Sequence, residues 1–290
     1  MQSPRTITVF DTTLRDGEQS VGIAFRPDEK VEIALALERL GVGVIEAGFP
    51  AASPGERDGV RGVAEAVRRL VVAAMARASE GDIDAAAEAL APARRSRLHV
   101  VLATSPIHRE RKLRLTRPEV VELAVRSVRH ARPLFDEVEF CCEDGSRTEP
   151  DFLAEVAAAA VDAGADVINL PDTVGFAVPA EYAALFERLR GVAPLSAHCH
   201  DDLGLATANT LAAVDAGAAQ VECTVNGIGE RAGNAALEEV AAALELAGLG
   251  TGIDLKLLPE VSALVSRLSG YPVAPHKAVV GANVRTSRGA

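Results

Sequence analysis

VDAGADVINL (residues 161–170) and VDAGAAQVEC (residues 214–223) are one phrase written twice. In each, an apolar helix pattern runs into Asp-Ala-Gly, and a strand-length apolar run begins within a few residues. Glycine just past a helix accepts the left-handed conformation that closes it, and so short an αβ loop returns the chain to a parallel sheet. LERLGVGVIE (37–46) is a third use of the same device. Outward from these junctions, strand-length runs recur at Ile7–Phe10, Val42–Ala47, Leu70–Ala74, His99–Ala103, Glu137–Cys141, Asp166–Leu170, Leu195–Cys199 and Gln220–Thr224. Between them, segments such as Asp28–Leu40 and Pro118–Ala131 carry apolar residues at i, i+3, i+4 and i+7, the period of an amphipathic helix. Eight such units predict an α/β chain closed as a (β/α)8 TIM barrel. The rival open sheet lacks its usual signal, a GxGxxG turn after the first strand. The eighth helix is predicted at Ala235–Ala247. Residues 1–248 are therefore assigned to a catalytic barrel and 249–290 to a short helical and irregular C-terminal extension.

Composition agrees with a packed barrel and excludes other classes. The chain of 290 residues is 48% hydrophobic but only 3% aromatic, with no Trp. Small aliphatic side chains suit close packing of helices on a parallel sheet. A net charge of −11 argues against nucleic acid, whose phosphates demand clustered Lys and Arg. The basic stretch RKLRLTR (111–117) is too local to reverse that. No run is long enough for a membrane span, and MQSPRTITVFD lacks the basic-then-apolar build of a signal peptide, so a cytoplasmic location is expected. Cys141, Cys142, Cys199 and Cys223 lack zinc-ribbon spacing and read as reduced, buried thiols.

Barrel enzymes carry their chemistry at the C-terminal ends of the strands, and here most of those ends are polar. DTTLRDGEQS follows the first strand, Glu46 closes the second, His99 opens the fourth, and Glu143 and Asp144 follow the fifth. Asp172 and Thr173 follow the sixth, HCHDDLG the seventh, and NGIGERAGN the eighth. In HCH, side chains at i and i+2 of a strand leave one face, so His198 and His200 point together and Cys199 points away. Taken alone, such a pair is equally a hydrogen-bonded strand end, and Asp16 in LRDGEQ is equally a turn aspartate. Together they make two histidines and a carboxylate, the donor set of a divalent cation acting as Lewis acid, with Asn234 a possible neutral fourth. Arg15 beside Asp16 can stabilise charge developing on a carbonyl oxygen. Glu143 serves as a general base if burial raises its pKa. Thr173 and Glu46 are candidate substrate contacts.

FDTTLRDGEQS, GFPAASPG, ATSPIHRERKL, EFCCEDGSRTEPDFLAEV, INLPDTVG, HCHDDLGLATANTLAAV and NGIGERAGNAALEEV, in this order, resemble the DRE-TIM metallolyase superfamily. Within it they resemble the 2-isopropylmalate synthase and homocitrate synthase families, over residues 7 to 283. The resemblance implies a Claisen-type condensation of acetyl-CoA with a 2-oxo acid held on Mn, Mg or Zn. It implies metal ligation by Asp16, His198 and His200 with Asn234 as a further ligand. Arg15 takes the place of the carbonyl-polarising arginine, Glu143 and His99 those of the active-site acid and histidine, and Thr173 that of the threonine holding the substrate carboxylate. GFPAASPG and ATSPIH favour 3-methyl-2-oxobutanoate, giving 2-isopropylmalate and CoA in leucine biosynthesis, by a homodimer. The alternatives are 2-oxoglutarate or another 2-oxo acid as acceptor, an aldolase or lyase on the same barrel, and a weakened binding paralogue. The last arises because family members continue after KAVVGAN with a His-Glu-Ser-Gly-Ile-His run serving the partner subunit, and then with a leucine-sensing domain. VRTSRGA offers neither, so leucine feedback is not expected.

Overall fold

A computed structural model describes residues 5–286, and its architecture is the predicted barrel. Eight parallel strands close in sequential order: β1 (Thr8–Asp11), β2 (Val44–Glu46), β3 (Val71–Arg77), β4 (Ser96–Ala103), β5 (Glu137–Glu143), β6 (Val167–Asp172), β7 (Leu195–Cys199) and β8 (Gln220–Cys223). β8 pairs back onto β1, with Val9 beside Val221. The outer layer is α1 (Pro27–Leu40), α2 (Pro54–Ala66), α3 (Glu80–Leu90), α4 (Arg117–Ala131), α5 (Pro150–Ala163), α6 (Pro179–Arg188), α7 (Ala206–Ala216) and α8 (Leu237–Leu246). The junction glycines behave as their spacing predicts. Gly41 and Gly164 take φ of 101° and 117° at the ends of α1 and α5, each donating its N–H back into the helix it closes.

The main core lies between the strands and the helices and includes Cys199, which faces outward as predicted. All four cysteines are free and buried. Inside the barrel the filling is mixed. A small apolar cluster of Phe10, Val44, Val71 and Ala73 sits beside buried Arg97, His99, Glu139, Ser196, Gln220 and Glu222. Most strand bounds shift by one to three residues from the sequence reading, and the largest shift at a strand start is in β4, which begins at Ser96 rather than His99. Polar Ser96 and Arg97 hide the start of the strand from an apolar-run criterion, yet both pair in register with β3. The shift puts His99 in the middle of its strand, beside Glu139 of β5.

Beyond residue 248 the chain stays on the barrel. Thr6 bridges to Gly250, α9 (Leu258–Ser269) packs on α1, and Asn226 of the β8 loop bonds Ser262 on that helix. Tyr271 Oη then donates to Val21 O in the β1 loop at 2.6 Å. A last short helix, α10, spans Ala282–Thr286. Residues 287–290 of the predicted extension lie outside the described residues. Among the described residues, no helix is long and apolar enough to cross a membrane.

Candidate metal centre and its clamp

The β7 pleat does what HCH predicts. His198, the last inward-facing residue of the strand, and His200, one step beyond it, bring their Nε2 atoms to 3.2 Å of each other. Asp16, from the tight turn after β1, places Oδ2 3.4 Å from His198 Nε2 and 3.8 Å from His200 Nε2. Adjacent donors about 2.0–2.2 Å from one cation are separated by about 2.8–3.6 Å in octahedral or tetrahedral geometry, so this triangle is close to metal-ligand size. Asn234 reaches the same point through a bridge to His200 and donates Nδ2 to Asp16 Oδ1 at 3.1 Å. Its own Oδ1 is buried without a protein partner, as is His200 Nδ1. A buried acceptor without a protein partner, beside two imidazoles and a carboxylate, is an oxygen available to a cation. The donor set therefore fits a divalent ion.

Electrostatics set the three donors apart. Burial alone would push the Asp16 carboxyl up, but Arg15, His198 and His200 hold it well below the usual carboxylate range. Burial, with His198 and Arg231 nearby, lowers His200 to about 4, keeping it neutral and able to ligate. His198 is moved the other way, to about 10, because Asp16 and Glu222 outweigh its burial. Glu222 Oε2 lies 2.8 Å from His198 Nδ1. A carboxylate behind a ligating histidine fixes its ring orientation and tautomer.

Arg15 is held from two sides, by Asp16 Oδ2 at 2.8 Å and by Glu46 Oε2 at 2.6 Å. Glu46 is fully buried and also takes Thr12 Oγ1 at 2.6 Å and His99 Nδ1 at 2.8 Å. Burial opposes its ionisation, yet Arg15 and His99 together lower it to about 2. His99 in turn is raised by Glu46 against its own burial, and its Nε2 is buried without a protein partner. Arg15, Asp16, His99, His198 and His200 line one cavity of about 680 Å³, with Met75, Val101 and Leu113 on its apolar wall.

The remaining sequence candidates fall around this cavity. Glu143 closes β5 at its rim, where Lys112 Nζ lies 2.7 and 2.9 Å from its two oxygens. Thr173 also lines the cavity. Its Oγ1 accepts from Asp144 N at 2.9 Å, which leaves the hydroxyl proton for a ligand. The sequence reading passed over Glu222, although QVEC places a carboxylate at a strand position that pairs with His198. It also passed over Lys30 and the Arg97–Glu139–Gln220 group, for which charged residues at apolar-face positions were the available signal.

The fold and site together define a TIM barrel with two histidines and one carboxylate gathered at its mouth. The HMGL-like family model matches residues 6–265, and the chain belongs to that family. It is 52% identical to the 2-isopropylmalate synthase of Neisseria meningitidis serogroup B over 98% of this chain and 57% of that protein. It is 56% identical to the enzyme of the same name from Shouchella clausii, over 96% of this chain and 56% of that one. To 2-isopropylmalate synthase 1 of Caldanaerobacter subterraneus subsp. tengcongensis it is 54% identical over 96% of this chain and 73% of that one. The chain thus spans a little over half the length of most of these relatives. Among solved structures, the HMG-CoA lyases of Bacillus subtilis and Pseudomonas aeruginosa share the fold, with TM-scores of 0.82 and 0.83 at 22% and 23% identity. Each alignment covers 99% of this chain and 100% of the other.

Proposed function

We propose that the chain is an acyltransferase barrel that condenses acetyl-CoA with 3-methyl-2-oxobutanoate, giving 2-isopropylmalate and CoA. The observation that carries this reading is the Asp16–His198–His200 triangle with Arg15 paired into it, at the mouth of a half-apolar cavity. Relatives of that name at more than half identity support the choice of acids. Asp16, His198 and His200, with Asn234 Oδ1, would hold the cation (Mn, Mg or Zn). When bound, it supplies Lewis-acid polarisation of the keto group. We assign residues 1–248 to catalysis and 249–290 to an extension braced on it, working as a homodimer in the cytoplasm.

In this reading Arg15, immobilised by Glu46 and Asp16, faces the keto oxygen with its free edge and stabilises the charge that develops there. Thr173 Oγ1 donates to the substrate carboxylate. Glu143 accepts a proton from the acetyl methyl group, and the new carbon–carbon bond forms to the keto carbon. His99 Nε2 delivers a proton to the former keto oxygen, its ring held by Glu46 at Nδ1. Water then attacks the thioester, releasing CoA and a second carboxylate. The apolar wall of Met75, Val101 and Leu113 accommodates the isopropyl group, and such a wall distinguishes acceptors by about 1–3 kcal/mol per methylene. The test is thiol release from acetyl-CoA across a panel of 2-oxo acids at saturating metal. Turnover fastest with 3-methyl-2-oxobutanoate is expected. No CoA release with any acid overturns the proposal.

A further inference from the structure

Lys30 is the most unusual side chain in the outer layer. On α1 it falls in register with Ile33, Ala34, Leu37 and Leu40, the buried face of the helix, and it is only 1% exposed. A lysine in such a position is costly unless its ammonium is fully paired. Here Nζ meets Glu56 Oε1 at 2.6 Å, Glu18 Oε2 at 2.7 Å, Leu14 O at 3.1 Å and Ala47 O at 3.4 Å. The two carbonyls are decisive. Leu14 immediately precedes Arg15, and Ala47 immediately follows Glu46.

The carboxylates extend the same tie. Glu18 also accepts from Phe25 N at 2.7 Å, and Glu56 from Phe49 N at 2.9 Å. One ammonium thus gathers the loop after β1 and the loop after β2 at a single buried point. The path is kept open by two residues without side chains. A Cβ on Gly59 would lie 3.0 Å from Lys30 Cδ, and one on Gly48 would lie 2.4 Å from Glu56 Oε2 and 3.2 Å from Nζ, at a backbone φ of 153°. Filling either position would displace the lysine or its partner.

We infer that Lys30 is a positioning residue: by tying Leu14 O to Ala47 O from behind, it sets the separation of the two loops at which the Arg15 guanidinium meets the Glu46 carboxylate. This rests on the reaction proposed above, in which Arg15 faces the keto oxygen. It extends that reading to a residue that does not line the cavity. Misplacement by about 1 Å of a group that orients substrate costs about 10²-fold in rate, and Lys30 holds the backbone on both sides of the pair.

The test compares Lys30→Met with Lys30→Met/Glu18→Gln/Glu56→Gln, which removes the carboxylates left unpaired and preserves folding if the single variant is lost. Lys30→Arg serves as the conservative variant. Three measurements on the metal-loaded full chain decide the matter: thermal unfolding, peptide-level amide exchange, and calorimetric binding of 3-methyl-2-oxobutanoate, with thiol release alongside. The expected result is faster exchange confined to residues 12–20 and 46–50, 2-oxo acid affinity weakened tenfold or more, and turnover down about 10²-fold in folded protein, with Lys30→Arg recovering part of each. Uniformly faster exchange, or a lowered Tm with affinity and turnover retained below it, overturns the inference. If wild-type protein releases no CoA, the functional reading fails, while exchange and 2-oxo acid affinity still decide the role of Lys30.

Discussion

The barrel interior holds two polar layers built from the same residue types, and they are finished to different degrees. At the N-terminal end, Arg97 donates to Glu137, to Glu139 at 2.9 Å and to Gln220 at 2.7 Å, and Gln220 donates on to Glu139 and Ser196. Each polar side-chain atom of that group finds a partner. Around the candidate metal centre and the Glu46 clamp, His99 Nε2, His200 Nδ1 and Asn234 Oδ1 are equally buried and have none in the protein. A satisfied buried network holds a unique packing, whereas an unsatisfied one is poised for a ligand. The contrast repeats the division of labour in TIM barrels, stability below and chemistry above. Glu222 stands between the layers, bonded to Ser196 on one side and close to His198 on the other.

Removing one atom set from each layer separates the two roles. His200→Ala takes a corner from the metal triangle, so stoichiometric divalent metal and CoA release should both disappear while the unfolding midpoint changes little. Elemental analysis of the purified variant is the check, and retained stoichiometric metal refutes the ligand assignment. Arg97→Met leaves Glu139 buried without its counter-charge, which should cost about 3–5 kcal/mol of stability and leave kcat of the folded fraction close to wild type. Urea unfolding beside initial rates reads both quantities, and a variant that loses rate but not stability erases the distinction between the layers.

The smallest effect is a pH dependence of the clamp. Glu46 ionises at about 2 in the folded protein against an ordinary value of 4.5. A depressed carboxyl stabilises the fold above its unfolded pKa, and that contribution is lost as pH falls toward the folded one. Glu46→Gln should therefore lie furthest below wild type at pH 5 and above, and the gap in unfolding free energy should close by about 2 kcal/mol by pH 3. A gap independent of pH would show that Glu46 acts by shape alone.

The architecture was legible because it is written in short-range signals. VDAGADVINL and VDAGAAQVEC each contain a helix end, its glycine and the next strand, and alternation in HCH is enough to send two imidazoles one way. His99 was half legible: the run HVVLA marks its strand, but Ser96 and Arg97 conceal the strand's start and hence that His99 sits inside the barrel. Glu46 read as a substrate contact, and the structure gives it three protein partners, Thr12, Arg15 and His99. Glu143 read as a base conditional on burial. The structure places it at the cavity rim, half-buried and ion-paired with Lys112.

What the sequence determined by itself is therefore the periodic part: eight units, their order, and which strand ends carry nitrogen and carboxylate donors. The partners of those donors depended on closure. Asp16 and Asn234 are 218 residues apart and meet within 3.1 Å because β8 returns to β1, and no local pattern specifies which residues a closed barrel brings face to face. Lys30 shows the same limit from the other side. Its position on α1 marks it as misplaced by hydrophobic periodicity, and only the packed loops, with two backbone carbonyls and two carboxylates converging on one ammonium, give that position a physical reason.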